Sequence, residues 1–211
     1  MKTGISTATL SKYETEEALT LLKEAGVGTC EIYLKTFYEY RPEFAKKFAS
    51  NLGGTEAYSI RVAPYNFEPQ LFCDSRRVRG DGFYWLDQVM RSAQLFGAKN
   101  YSLGVKKNEV ENWDAYIGEI RNFCARFGVN LCTANTDKPA KRAATPYSSY
   151  LNYSTGGMSH IYLNGADFGG YEKIIKNLKS LNFDGAVILD DTTITDLDEA
   201  KRFAELLNNT V

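Results

Sequence analysis

The feature that most constrains this chain is a regular alternation between two hydrophobic periods. Short β-rich runs stand at Thr3–Ala8, Thr29–Leu34, Ala57–Ala63, Asn100–Val105, Val129–Ala134, Met158–Leu163 and Ala186–Asp190. Between them, apolar residues recur at helical spacing. Ala18, Leu19, Leu21, Leu22 and Ala25 share one face after a plausible cap at Thr15, and Trp85, Leu86, Val89, Met90, Ala93 and Phe96 form the next. Tyr116, Ile117, Ile120, Phe123, Cys124 and Phe127 make a third, Ile174, Ile175 and Leu178 a fourth, and Ala200, Phe203, Ala204 and Leu207 a fifth. Four of these patterns meet the following strand at a glycine: Gly26, Gly97, Gly128 and Gly185. A glycine there supplies the left-handed turn that ends a helix and sends the chain into a strand. Strands and helices alternating at about 30-residue spacing mean βα units and a parallel sheet.

Two parallel architectures compete, a doubly wound sheet and a closed barrel. No G-x-G-x-x-G follows the first strand, so the dinucleotide-binding version of the open sheet has no support. Six or more consecutive units favour a TIM-type (β/α) barrel. The chain has 211 residues, close to the floor of roughly 200 for eight units, and only seven strands are clear. The stretch between Ala134 and Met158 is too short for a helix, a strand and a second helix. It is polar and turn-rich, with one short helical candidate at Pro146–Tyr153. The expectation is one domain over residues 1–211, a TIM-type barrel shortened by about one βα unit. Lys138–Thr145 could form an irregular strand, seven strands could close, or the sheet could stay open. Pro139 and Pro146 make the first poor, so Val129–Ala134 is expected to meet Met158–Leu163 directly or across a gap, with imperfect closure.

Composition narrows the function. Lys and Arg number 25 against 26 Asp and Glu, a net charge of −1, which gives no basic face for nucleic acid or an anionic membrane. No apolar run reaches the ~18 residues of a membrane span. The four cysteines form no C-x-x-C pair, so a reducing, cytoplasmic setting is expected. A single histidine, His160, excludes any two-histidine site and leaves a triad hydrolase only formally open.

Several segments, in order, carry a resemblance: GISTATLSKY, CEIYLKTFYEYRPEFAKKF, NFEPQLF, FGAKNYSL, FCARFGVNLCTAN, GGMSHIYLNG and LNFDGAVILDD. Together they resemble the sugar phosphate isomerase/epimerase family, the xylose-isomerase-like TIM barrels. The resemblance implies a Mn²⁺ or Mg²⁺ ion at the C-terminal mouth, held by Glu, Asp, His and Glu after the fifth to eighth strands. Here the first Glu falls on Ala134, and the Asp has only Asp137 as a stand-in. The His, second of a His-x-His pair, falls on Tyr162, and the last Glu on Asp190. Arg61 and Gly104 take the places of other inward histidines. The resemblance therefore implies a degenerate member, with no metal site and no Mn or Mg cofactor expected. Asp190 and Asp137 are only weak catalytic candidates.

Glu68, His160, Tyr162, Arg61 and Asn135 are the candidates for holding a substrate. Each has a plainer role. Glu68 could brace the loop before a helix, His160 could be an interior hydrogen-bonded histidine, and Glu31 could simply pair with Arg61 on the adjacent strand. Asp190 and Asp191 could serve a solvated loop, and Arg76, Arg77 and Arg79 a basic loop rather than a phosphate. Tyr65, Phe67 and Phe72 suit sugar stacking or burial. Three functions remain: an active isomerase or epimerase with a rearranged site, a sugar or sugar-phosphate binder without catalysis, or a structural or interaction protein derived from this family. A homo-oligomer is left open.

Overall fold

The computed structural model describes residues 1–63, 65–134, 151–154, 157–163, 171–192, and 198, 199, 201, 202 and 205. Eight strands run β1 (Lys2–Ser6), β2 (Thr29–Leu34), β3 (Glu56–Val62), β4 (Asn100–Leu103), β5 (Asn130–Ala134), β6 (Leu151–Ser154), β7 (Gly157–Leu163) and β8 (Ala186–Leu189). They pair in sequence order, and β8 returns to β1, so the ring is continuous. The α-helices that lie in full among the described residues are α1 (Thr15–Glu24), α2 (Pro42–Phe48), α3 (Arg76–Phe96), α4 (Trp113–Ala125) and α5 (Tyr171–Ser180).

Seven strands are parallel, as the spacing of the seven apolar runs requires. The shortened place lies where the sequence puts it, between β5 and β7, but the expected gap is spanned. β6 fills it as a short strand antiparallel to both neighbours. Two residue pairs tie it to β5, Thr133 with Tyr153 and Ala134 with Asn152. The helical candidate at Pro146–Tyr153 is corrected: Leu151 to Ser154 is extended, because its backbone groups pair with open edges on both sides. The Lys138–Thr145 alternative lies outside the described residues. Helix α2, absent from the sequence reading, is short; Pro42 begins it, and it buries Phe44 and Ala45.

The core lies chiefly between the outer face of the barrel and the helices. Ile5, Cys30, Ile32, Leu34, Ile60 and Val62 meet Leu19, Leu22, Leu86, Val89 and Met90 there, all fully sealed. Gly26, Gly97 and Gly128 do adopt the left-handed turn, at φ 71°, 78° and 71°. The fourth junction differs. There Asn182 takes the left-handed conformation, and Gly185 is required by space, since a Cβ would lie 2.0 Å from the Ser159 carbonyl oxygen. Among the described residues, no helix is long and apolar enough to cross a membrane.

Candidate functional site

The site is built from side chains that alternate into the barrel at the C-terminal ends of its strands, where TIM barrels carry their chemistry. Glu31 on β2 lies at its centre, fully buried. A register shift between Cys30 and Glu31 skips Tyr58 on β3 and sets Glu31 opposite Ser59. Four hydroxyls then solvate the carboxylate in place of water. Ser6 donates at 3.1 Å, Ser59 at 2.9 Å, Ser102 at 3.3 Å, and Tyr162 donates to Oε2 in a short bond.

Arg61 lies above this layer, two residues beyond Ser59 and therefore on the same inward face. Its Nε is 3.1 Å from Glu31 Oε1, an ion pair whose N–H is not aimed well enough for a hydrogen bond. Its Nη2 is 2.9 Å from both oxygens of Asp190. The guanidinium sits between two aromatic rings, 4.9 Å from that of Tyr33 and 5.0 Å from that of Tyr162. Nη1 makes no hydrogen bond among the described residues, and the Arg61 side chain is one-fifth exposed. Burial works against the charge of Arg61, but Glu31, Tyr162 and Asp190 outweigh it and push its pKa up further. Burial likewise raises the carboxyl of Asp190, opposed by Arg61.

His160 lies one layer deeper, with no exposure. Its Nε2 is 3.0 Å from Ser102 Oγ and 3.1 Å from the Tyr162 hydroxyl. Both oxygens give their protons to Glu31, so Nε2 carries the ring hydrogen, and Nδ1 accepts from Ser159 at 3.2 Å. Burial, with the positive charge of Arg61, lowers its pKa to about 3. The ring is neutral and belongs to the interior.

A cavity of about 280 Å³ opens above Arg61. Arg61, Tyr162 and Asp190 form its floor, with Tyr65, Ser102, Gly104, Lys106 and Ala134 among the walls. Tyr65 holds a left-handed backbone at φ 69°, a strained conformation for a bulky residue that recurs at ligand sites. Nothing in the sequence marked that strain.

The structure thus brings Arg61, Tyr162 and Asp190 together and leaves other candidates apart. Glu68 does not line the cavity. Its buried carboxylate accepts from the Tyr101 hydroxyl at 2.6 Å and from the amides of Gly104 and Val105 at 3.0 and 3.2 Å. It braces the loop after β4, and burial raises its pKa to about 7 against those bonds. Asn135 and Asp137 lie outside the described residues. Phe67 and Phe72 are buried in the core. Arg79 rests on the ring of Tyr116 and donates to the Cys73 carbonyl.

The donor set does not suit a divalent metal. Among the described residues, no three His, Cys, Asp or Glu side chains converge as ligands would. Ala134 offers no donor, Tyr162 spends its proton on Glu31, Glu31 and Asp190 are held by Arg61, and Glu109 is paired with Lys106. A divalent ion about 4 Å from that guanidinium would meet a repulsion of roughly 8 kcal/mol at an effective dielectric constant of about 20.

No family model matches the chain, and no curated protein does. Solved structures do. A D-psicose 3-epimerase determined in the presence of D-fructose superposes with a TM-score of 0.70 at 14% identity, covering 100% of this chain and 99% of that one. The D-psicose 3-epimerase of Clostridium cellulolyticum, with D-tagatose, gives 0.71 at 11% identity over 100% and 99%. A sugar phosphate isomerase/epimerase from Parabacteroides distasonis gives 0.62 at 14% identity over 98% and 93%. This chain therefore carries the barrel fold of the xylose-isomerase-like sugar isomerases and epimerases.

Proposed function

We propose that this protein is a single-domain, xylose-isomerase-like barrel that binds a small sugar or sugar phosphate at its C-terminal mouth without metal-dependent catalysis. The observation that carries this reading is the cavity over Arg61, Tyr162 and Asp190. It is lined by groups suited to a polyhydroxylated ligand. Nη1 of Arg61 donates to a ligand oxygen, Asp190 keeps lone pairs for a ligand hydroxyl, and Tyr65 offers an aromatic wall. Acid–base chemistry on a sugar carbon needs a group that can take a proton beside the ligand. His160 is neutral in the interior and Glu68 is committed to the β4 loop, so neither serves. Tyr162 is held protonated by burial and by Glu31. Four free cysteines, Cys30, Cys73, Cys124 and Cys132, fit a reducing cytoplasm.

The test is thermal melting with D-fructose, D-tagatose, D-psicose and a ketose phosphate, run beside a ketose 3-epimerase assay. A ligand that binds only the folded state raises the melting temperature, and the reading expects that rise without turnover. Turnover would favour the enzyme with a rearranged site. No rise with any of these ligands would favour a structural role.

A further inference from the structure

We infer that Arg61 is a built-in cation of this barrel mouth: it takes the charge role of a divalent metal between Glu31 and Asp190, and so excludes such an ion. The inference does not depend on sugar binding.

Three observations carry it. Glu31 and Asp190 come from β2 and the end of β8, the two strands that flank β1. Both reach the same guanidinium, at 3.1 Å through Nε and 2.9 Å through Nη2. Two carboxylates turned on one centre, Glu31 fully buried and Asp190 partly so, repel each other unless a cation stands between them. Second, the cation is fixed rather than mobile. Rings of Tyr33 and Tyr162 lie within 5.0 Å of its carbon, and Arg61 is anchored by its own strand, in register with Ser102 on β4. Third, its Nε–H is buried without an aligned acceptor. The side chain is placed for charge between the carboxylates more than for hydrogen bonding. Guanidinium suits the role because it stays protonated and stacks on aromatic faces.

Removing this side chain should therefore convert a closed ion cluster into an acidic pocket beside the existing cavity. Glu31 and Asp190 would supply hard oxygen donors, and water would fill the remaining positions of Mn²⁺ or Mg²⁺. The pocket would be a weak site, since two carboxylates, Glu31 and Asp190, reach the guanidinium's place among the described residues.

The experiment is calorimetric titration of the full chain with MnCl₂, with melting curves in Mn²⁺ and in chelator. Wild type is expected to show no saturable heat and no shift. Arg61→Ala should bind Mn²⁺ roughly tenfold or more tightly than wild type and melt higher in Mn²⁺ than in chelator. Adding Asp190→Asn should abolish both effects. Arg61→Lys, which keeps the charge, should stay as indifferent to Mn²⁺ as wild type. If Arg61→Ala does not fold on expression, it is refolded from urea with Mn²⁺ or with chelator; recovery in Mn²⁺ only supports the inference, and recovery in neither overturns it. Saturable Mn²⁺ binding by wild type that Asp190→Asn removes would overturn it, as would a folded Arg61→Ala no more responsive to Mn²⁺ than wild type.

Discussion

Glu31 and Glu68 are the same residue type, each fully buried, yet their surroundings give them opposite roles. Glu31 faces the barrel interior beside a guanidinium and four hydroxyls. Its charge is compensated, and it organises the floor of the cavity. Among the described residues, Glu68 has no cation in hydrogen-bonding contact. Backbone amides and one phenol hold it, so it positions a loop rather than a ligand. Burial alone therefore does not identify a functional carboxylate. What the carboxylate is paired with, and whether that partner borders a cavity, decides it.

The strongest way to break this contrast is to strip Glu31 of its partner. Arg61→Met should cost about 3–5 kcal/mol in urea unfolding, the usual penalty for stranding a buried charge. Glu31→Gln placed on top should return much of that loss, because it removes the stranded charge. A double variant no more stable than Arg61→Met would mean that the guanidinium acts through packing alone.

The pH dependence of the Glu31 layer comes next. His160 has a folded pKa of about 3 against an ordinary 6.5. The unfolded chain thus takes up a proton that the fold refuses. The contribution is complete above about pH 6.5 and is lost progressively as pH falls towards 3, at roughly 1.4 kcal/mol per unit. As the chain has one histidine, its Cε1 proton resonance should stay flat between pH 8 and 5. A midpoint near 6.5 would place the ring in water and dismantle the Nε2 bonds to Ser102 and Tyr162.

On the other side of the comparison, Glu68→Gln should cost about 1–3 kcal/mol by turning an amide donor group towards the N–H groups of Gly104 and Val105. Hydrogen exchange should quicken at those two amides and leave Tyr33 unaffected. Equal loosening at both places would mean that the two glutamates belong to one network. The smallest effect belongs to an exposed control. Lys2 lies 2.6 Å from Glu56 at the opposite end of the barrel, each side chain nearly half exposed, and Lys2→Ala should change stability by less than about 1 kcal/mol.

Much of this was legible in the sequence because it rests on local patterns. Seven apolar runs at βα spacing became seven parallel strands, and glycines at three helix ends took the conformation that only glycine adopts freely. The pairing of Glu31 with Arg61 was readable too, since alternation along adjacent parallel strands puts both on one face. The inward placing of His160 and Tyr162 followed from the same period of two.

Other features depended on partners distant in the chain. Leu151–Ser154 has no strong strand pattern of its own; it is extended because β5 and β7 each present an edge that it completes. The shift that aligns Glu31 with Ser59 is a choice of register, invisible to composition. Asp190 reads as a shortened metal ligand until Arg61, 129 residues earlier, is seen to hold it. The sequence by itself determined the βα repeat, the place of the shortened unit and the inward faces of the strands, because period and turn chemistry act within a few residues. Tertiary structure alone decided that the ring closes, that Glu68 is a brace and that the carboxylates at the mouth enclose a guanidinium, because register and charge compensation are settled only when distant strands meet.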